Sequence, residues 1–460
     1  MIKRKISMAL IILAIIFTYS GTAFSEASIP DTSIPPEIKS DSAILMDQKT
    51  GKILYDKDLH KKLYPASLTK ILTAILILEN MDLKETVTVG DEIKLVEQDA
   101  SEAGLIIGEK LTGSDLMWAL MLPSGNDAAY TAAVNISRKK AGNASMNIPD
   151  AVKYFSEMMN SRAMEIGAKG SNFVNPDGYP HENHYSTAYD MALISRESIK
   201  HDFFREVVNA YTYAKGSGND TKLSTENKKA SVIWYNKNQL INKKSKYYYE
   251  YAKGIKTGHT NAAGYCLSSY AQMDDRTFIS IILKGDSEET RWLETTALFK
   301  YGFNNFKHHT FVKKGESVSS ASIIRKYFKD SVDINILAGS EYADILTDKD
   351  VSGIKQTIEW DKSLLMLGES SSKQIKLAGP VSANQIVGKA SYTLNGTVLA
   401  EIELLASHDA LKGDLKDKIV GILDNAIAHK IIIFICMGAA AILVIVLVLL
   451  IKRKRKVINS

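Results

Sequence analysis

The first part of the chain has strand patterns at both ends and helical patterns between them. Apolar runs at 43–46 and 53–55 flank a polar turn, which predicts a β-hairpin. Apolar residues recur at helical spacing over 67–79, which predicts a helix. A second helix is predicted over 114–122, with the serine that opens it as the N-cap and Pro123 after its end.

Strand patterns return after the helices. Alternating or continuous apolar runs predict strands at 264–271 and 278–283. Strands at both ends with helices between them are typical of an α+β domain, which we place at 40–305. Short β-rich runs then predict a separate all-β module at 310–405, where Asn395-Gly396 marks a hairpin turn.

The two ends of the chain have the patterns of export and membrane insertion. A basic start and a short apolar run predict a signal peptide over 1–27, followed by a linker over 28–39. Residues 431–451 carry no charge and suffice to cross a bilayer, and an amphipathic stalk helix is predicted over 406–430 before them. The basic tail 452–460 predicts a cytoplasmic C-terminus. We therefore expect an exported, single-pass protein of the cell membrane whose folded domains lie outside the cytoplasm.

Composition excludes several classes of protein. Charged residues make up 24% and hydrophobic residues 45% of the chain, as in ordinary globular proteins. Of the two cysteines, Cys436 falls within the predicted span, which excludes a disulfide scaffold and a multi-cysteine metal site. The net charge of +5 comes from the basic residues at the two ends, and 28–430 has a slight acidic excess. The charge therefore marks membrane topology, and we expect neither a nucleic-acid partner nor a metal or other cofactor.

Three short motifs together carry the candidate chemistry. Ser67-Leu68-Thr69-Lys70 places a hydroxyl and an amine one helical turn apart, where the amine can take the proton of the hydroxyl if burial or a neighbouring cation lowers its pKa. Ser124-Gly125-Asn126 offers a second hydroxyl and an amide. Lys256-Thr257-Gly258 offers a cation and a hydroxyl that can bind a carboxylate, with a glycine that lets the backbone approach.

Each motif alone is weak, because the chain contains other copies. The competing copies fall in a hairpin turn, in polar runs or in the β module, and only the first set has a helix start, a post-helix turn and a strand in this order. The competing copies are Ser137/Lys140, Ser352/Lys355, Ser370/Lys373, Ser145/Asn147, Ser217/Asn219, Ser382/Asn384 and Lys49-Thr50-Gly51.

The complete set resembles the serine-type D-alanyl-D-alanine carboxypeptidases, which are low-molecular-mass penicillin-binding proteins of the acyl-serine transferase superfamily. The resemblance implies a penicillin-binding/serine β-lactamase-like catalytic domain over 40–305 and a small β-sandwich domain over 310–405, followed by the transmembrane helix. Further segments match that family: Pro65–Lys70, Leu122–Ala129, Asn175–Gly178, His184–Ala188, Gly254–Thr260 and Ala263–Tyr265.

The resemblance also implies a role for each catalytic residue. Ser67 would attack the peptide bond between two terminal D-alanines, and Lys70 would act as its base. Ser124 would relay a proton to the leaving amine. Asn126 would hold the substrate backbone, and Lys256 would lower the pKa of Lys70 by like-charge proximity.

Substrate binding would use the strand motif. The oxyanion hole would be formed by the backbone N–H groups of Ser67 and His259, and Lys256 with Thr257 would hold the terminal carboxylate, with Arg291 as a supporting charge. The full implied binding set is Asn126, Lys256, Thr257, Gly258, His259, Thr260 and Arg291. The implied partners are peptidoglycan stem peptides and, as covalent inhibitors, β-lactam antibiotics.

Several alternatives stay open at this point. A β-lactamase shares the acyl-serine step but needs a carboxylate to activate water, and none stands out in the sequence. A D,D-endopeptidase and a β-lactam-sensing receptor are further alternatives, although only nine residues follow the predicted span for signalling. The stretch His181–His184 falls one residue short of a zinc motif and is interpreted as a loop lining the site. Tyr247–Tyr249 is interpreted as a packing or surface segment.

Overall fold

A computed structural model of the chain describes residues 34–215, 232–324, 331–365, 375–410, 419, 423, 427 and 429–446. The chain forms two compact units that meet in sequence between Lys307 and His308. The predicted signal peptide, most of the predicted stalk and the basic tail lie outside the described residues, as do two competing motifs, at Ser217 and Ser370.

The first unit is built on a five-stranded antiparallel sheet in the order β2-β1-β9-β8-β7. Two small two-stranded sheets, β3 with β4 and β5 with β6, lie outside it. The strands are β1 (Ser42–Asp47), β2 (Ile53–Lys57), β3 (Thr86–Thr88), β4 (Lys110–Thr112), β5 (Thr212–Ala214), β6 (Ile233–Tyr235), β7 (Ala252–Thr260), β8 (Gly264–Met273) and β9 (Arg276–Gly285).

Helices separate the first two strands of this sheet from the last three along the chain, and a further helix follows them. This order confirms the predicted α+β class. The α-helices are α1 (Lys70–Asn80), α2 (Gly113–Met121), α3 (Asn126–Lys140), α4 (Ile148–Ile166), α5 (Ala188–Ser198), α6 (Asp202–Asn209) and α7 (Glu288–Asn305), and short 3₁₀ helices form at Ala66–Thr69, Asp91–Leu95 and Gln239–Ile241.

Two helix starts differ from the sequence prediction. The N-cap of α2 is Thr112 and not Ser114, because Thr112 and Asp115 form a reciprocal capping box. The helix predicted over 67–79 is divided: a 3₁₀ turn at Ala66–Thr69 precedes α1. Ser67 therefore lies in the tight turn that leads into α1, and Lys70 is the first residue of that helix.

Helix α1 is buried in the interior of the first unit. Its residues from Lys70 to Ile77 are all buried, because apolar side chains cover every face of the helix. The interior strand β1 is also buried along its whole length. The edge strand β7 contacts the 3₁₀ turn that bears Ser67. The nucleophile motif is thus held between a buried helix and the edge of the sheet.

The second unit contains a six-stranded sheet in the order β14-β16-β17-β12-β11-β15 and a two-stranded sheet of β10 and β13. Asn395 and Gly396 have φ angles of 50° and 84° in the turn between β16 and β17, which confirms the predicted hairpin. The elements are β10 (Phe306–Val312), β11 (Ser317–Ile324), β12 (Ser331–Ala338), β13 (Tyr342–Thr347), α8 (Asp348–Gly353), β14 (Lys355–Trp360), β15 (Ile375–Ala378), β16 (Ile386–Leu394) and β17 (Thr397–Ala406).

Among the described residues, one helix is long and apolar enough to cross a membrane. It runs over His429–Val446 with a mean hydropathy of 2.5, and none of it is buried within the protein. The predicted span 431–451 overlaps this helix, and its last five residues lie outside the described part of the chain.

Candidate active site

At the N-terminal end of α1, the amine of Lys70 contacts three oxygen atoms. Its Nζ atom lies 3.0 Å from Ser67 Oγ, 2.7 Å from Asn126 Oδ1 and 2.7 Å from the backbone oxygen of Asp177. Lys70 is fully buried. The predicted nucleophile and base are therefore within hydrogen-bonding distance, and the second predicted motif reaches the same amine.

The turn before α3 brings in the second motif. Ser124 has a φ of 66° and is 3% exposed, and its Oγ has no hydrogen-bond partner among the described residues. Asn126 opens α3, and its backbone N–H donates to Ser101 O at 2.8 Å. A Cβ atom on Gly125 would lie 2.8 Å from Ala119 O, so this glycine is needed for the close packing of the turn.

Strand β7 supplies the third motif along the edge that faces Ser67. A Cβ atom on Gly258 would lie 3.0 Å from Pro65 O and 3.2 Å from Ser67 N, so the absence of a side chain lets the strand reach the nucleophile turn. Lys256 is 2% exposed, and its Nζ donates to Thr257 O at 3.1 Å. The Lys-Thr-Gly motif thus lies against the serine motif through Gly258.

Arg291 on α7 reaches the same strand. Its Nη1 donates to Gly258 O at 3.3 Å and its Nη2 to Glu288 Oε1 at 2.7 Å, whereas its buried Nε has no partner among the described residues. The ring of His259 packs against that of Tyr265 in a tilted arrangement, with ring centroids 4.2 Å apart. The Thr260 hydroxyl accepts the backbone N–H of Ala263 at 3.1 Å and so fixes the turn after β7.

Burial is the main cause of the altered basicity of Lys70. Burial lowers the pKa of Lys70 and Lys237 adds to this effect, while Asp177 and Asp127 oppose it, and together they bring the pKa of Lys70 to about 8. The sequence prediction assigned this effect to Lys256. The predicted repulsion between Lys256 and Lys70 is present as well: burial first, then the charge of Lys70, holds the pKa of Lys256 well below its ordinary value, and like charges act on each other reciprocally. Lys237 is a further cation beside Lys70, which the sequence analysis did not identify.

Two cavities of different chemical character meet at Ser67. The first, of about 400 Å³, is lined by amide, carboxyl and hydroxyl groups, including Asn126, Asp177 and Tyr179. The second, of about 370 Å³, is lined by the cations Lys237 and Arg291, by the carboxyl groups of Asp99 and Glu288, and by Ser124 and Thr257. His259 lines both. Ser67 therefore lies between a cavity with two cationic side chains, called the cationic cavity below, and a cavity whose lining residues include no lysine or arginine.

Three residues of the site were not predicted as functional. Lys237 extends towards the cleft, and its Nζ donates to Ser101 Oγ at 2.6 Å. His184 lies behind the nucleophile turn: its Nδ1 accepts the Val174 N–H at 3.3 Å, so Nε2 carries the proton and donates to Thr69 Oγ1 at 2.9 Å. Asp177 lines the first cavity. Of these three residues, only His184 and Asp177 could have been identified as functional from the sequence, because they fall in segments that match the family.

The competing patterns have structural explanations. Ser137 is buried on α3 and donates to Ala151 O at 2.8 Å. Gly51 has a φ of 78° in the hairpin turn, as predicted for the first Lys-Thr-Gly copy. The ring of Tyr249 stacks on Phe299, in agreement with a packing role. In the described part of the chain, no group of three or more His, Cys, Asp or Glu side chains is arranged to hold a metal ion.

Comparisons with known families match both units. The profile of the D-alanyl-D-alanine carboxypeptidase family matches residues 29–287, which is more than half of the chain. The profile of the C-terminal domain of penicillin-binding protein 5 matches residues 306–411.

Individual relatives cover most of the chain. A D-alanyl-D-alanine carboxypeptidase of Bacillus subtilis (strain 168), DacF, is 29% identical over 418 residues, 89% of this chain and 95% of the relative. A D-alanyl-D-alanine carboxypeptidase of Streptomyces sp. (strain K15) is 32% identical over 279 residues, 60% of this chain and 91% of the relative. The crystal structure of penicillin-binding protein 5 from Haemophilus influenzae superposes with a TM-score of 0.60 at 25% identity, covering 82% of this chain and 99% of that one. The chain therefore belongs to the D-alanyl-D-alanine carboxypeptidase family of low-molecular-mass penicillin-binding proteins.

Proposed function

We propose that the chain removes the terminal D-alanine from peptidoglycan stem pentapeptides through an acyl-enzyme on Ser67. The observation that carries this proposal is the position of the Ser67–Lys70 pair between a cationic cavity and a second cavity of different character. A D-Ala-D-Ala terminus has a free carboxylate on one side of the scissile bond and the rest of the stem on the other.

The surroundings of Lys70 support its role as the base. The carbonyl oxygens of Asn126 and Asp177 lie 2.7 Å from Nζ on either side of the Ser67 contact. A neutral amine has two N–H groups and one lone pair, so the two carbonyl groups hold both N–H groups and direct the lone pair to Ser67 Oγ. With a pKa of about 8, a useful fraction of Lys70 is neutral at slightly alkaline pH.

The cationic cavity supports the binding of the terminal carboxylate. Arg291 has an unpartnered Nε, and Lys237 and Thr257 line the same space. The free hydroxyl of Ser124 also faces this cavity, on the side where the leaving amine of D-alanine would form. Ser124 then passes the proton taken by Lys70 to that amine.

The edge strand β7 supports backbone recognition of the stem. It is the last strand of its sheet, so its outer edge is available to pair with an extended peptide. The Oδ1 atom of Asn126 is engaged by Lys70, and its Nδ2 group remains to donate to a substrate carbonyl. The backbone N–H groups of Ser67 and His259 form the oxyanion hole, to which each donor contributes about 3 kcal/mol.

We also propose that the helix His429–Val446 anchors the chain in the cell membrane with the catalytic unit outside. The basic residues after Ile451 favour a cytoplasmic C-terminus. A cysteine introduced in 452–460 should stay unlabelled by an impermeant maleimide on intact cells, and labelling there would reverse the topology. Penicillin should label the catalytic unit on the same intact cells.

The proposed function is tested with a matched pair of substrates. A stem-peptide analogue ending in D-Ala-D-Ala should be hydrolysed at least ~10-fold more efficiently as the free acid than as the C-terminal amide, because the amide loses charged hydrogen bonds in the cationic cavity. Equal rates would contradict carboxylate recognition. Rapid turnover of nitrocefin with no release of D-alanine would replace the proposal with a β-lactamase.

A further inference from the structure

A buried aspartate, Asp177, lines the cavity on the acyl-donor side of the site. We propose that Asp177 is the general base that activates the water molecule which hydrolyses the Ser67 acyl-enzyme, an inference that rests on the proposed function. Asp177 is 2% exposed and lines the cavity of about 400 Å³ that Ser67 and Asn126 also line. It thus lies on the side where the acyl group remains after the D-alanine has left.

The loop that carries Asp177 is fixed against the nucleophile turn. The backbone oxygen of Asp177 accepts the Lys70 amine at 2.7 Å. The next residue, Gly178, has a φ of 86°, and a Cβ atom there would lie 1.9 Å from Ala66 O and 2.8 Å from Thr69 Oγ1. A loop packed this closely holds the Asp177 side chain at a constant position relative to Ser67.

The hydrogen bonds of Asp177 differ from those of a structural buried carboxylate. Asp127 is also buried, and its two oxygens accept the backbone N–H groups of Ala103, Leu105 and Ala128. The Asp177 carboxylate accepts a long 3.3 Å bond from the Tyr179 N–H and a contact from its own N–H. Acceptor capacity therefore remains on Asp177 for a water molecule.

The electrostatic surroundings suit a base. Burial raises the pKa of Asp177, Glu97 raises it further, and the Lys70 ammonium opposes both. Tyr130 on α3 and Tyr179 are the titratable neighbours that feel its charge, and both have raised pKa values. The charged form of Asp177 is thus maintained by Lys70, while its affinity for a proton exceeds that of an exposed aspartate.

The deacylation step balances as follows. The acyl-enzyme is an ester between Ser67 Oγ and the acyl carbon, and a water oxygen attacks that carbon while the Asp177 carboxylate takes one water proton. The tetrahedral intermediate then expels Ser67 Oγ, which takes up the proton that Asp177 removed from water, directly or through Lys70. The products are a carboxylic acid, shortened by one D-alanine, and free Ser67, and Asp177 returns to its carboxylate form.

The test separates acylation from deacylation in the full chain in detergent. In Asp177→Asn, labelling by fluorescent penicillin should stay within several-fold, whereas release of the label should slow by about 100-fold or more, the usual contribution of a general base. With a D-Ala-D-Ala peptide, this variant should release one equivalent of D-alanine and accumulate an acyl-enzyme detectable by mass spectrometry. The residual deacylation rate of this variant should no longer change with pH over the range in which the Asp177 carboxylate of the unsubstituted chain gains or loses its proton.

Two further variants make the result decisive. Asp91→Asn removes an exposed carboxylate that lines neither cavity, and its deacylation rate should change less than about 3-fold. Asp177→Glu keeps the carboxylate and should recover deacylation in part. Unchanged deacylation in Asp177→Asn, or equal deacylation in the Asn and Glu variants, would overturn the inference. An unsubstituted chain that fails to acylate would instead refute the proposed function.

Discussion

Gly258 on the edge strand packs directly against the backbone of Ser67. A Cβ atom at Gly258 would lie 3.2 Å from Ser67 N, closer than most real Cβ contacts. The atoms that this Cβ would meet belong to the backbone or to a short side chain. The nucleophile turn and the carboxylate-binding strand therefore touch because one residue lacks a side chain. This contact joins two segments that are far apart in the sequence.

The first prediction tests that contact. Gly258→Ala should lower the rate of penicillin acylation at least ~10-fold, because small displacements of reacting groups cost large factors in rate. The fold should persist, as shown by an unchanged circular dichroism spectrum. Gly108→Asn is the matched control: nothing lies within 4 Å of a Cβ there, and asparagine tolerates its φ of 81°. Equal acylation by both variants would show that the close approach has no catalytic role.

The second prediction concerns the pH dependence of acylation. Lys70 must be neutral to accept a proton, so the rate should rise with pH through a midpoint near its pKa of about 8. Lys237→Met removes a cation that lowers this pKa and should move the midpoint to higher pH. Lys237→Arg should leave it in place. A midpoint that is identical in all three proteins would exclude Lys237 as an electrostatic partner of Lys70.

The third prediction concerns Arg291. Its replacement by glutamine removes a buried charge from the cationic cavity and should reduce the preference for a free-acid substrate over its amide by about 10-fold, mainly through KM for the acid. Arg205→Gln, a change at a partly exposed arginine at the start of α6, should leave the preference unchanged. An unaltered acid-to-amide ratio in the Arg291 variant would show that the carboxylate binds elsewhere.

The fourth prediction concerns stability in acid. Burial lowers the pKa of His184 to about 3 from an ordinary value near 6.5. Between these values the unfolded chain binds one more proton than the folded chain, so this residue reduces the free energy of unfolding by up to about 1.4 kcal/mol for each pH unit below 6.5.

Urea unfolding of the catalytic unit within the full chain, measured from pH 5 to 7, tests this slope. His184→Gln has no group that titrates in this range, and the pH dependence should be shallower by about one proton. A variant with the same slope as the unsubstituted chain would mean that His184 does not carry the effect.

Local features were predictable from the sequence and contacts between distant segments were not. The Ser67–Lys70 pair is one helical turn apart, so its hydrogen bond follows from spacing alone. The cap of α2 was misassigned although Thr112 and Asp115 have the capping-box spacing, because Ser114 also satisfies the preference for a hydroxyl. Gly258 could be placed beside Ser67 only through the family resemblance.

Lys237 illustrates the limit of sequence analysis. It is one of several lysines between 237 and 246, and nothing in its local pattern distinguishes it from a solvated surface residue. Its effect on Lys70 arises from the folding of the segment after β6 against the cleft. The repulsion between Lys256 and Lys70 was predicted, because both residues belong to motifs of the family.

The central claim is that Ser67 is the acylated nucleophile of a D-alanyl-D-alanine carboxypeptidase. The most direct measurement compares Ser67→Ala with the unsubstituted full chain for release of D-alanine and for covalent labelling by fluorescent penicillin. Ser352→Ala, at an exposed serine of a competing Ser-x-x-Lys pattern, is the matched control. We predict that Ser67→Ala loses both activities while Ser352→Ala keeps both. Penicillin labelling that persists in Ser67→Ala would contradict the account.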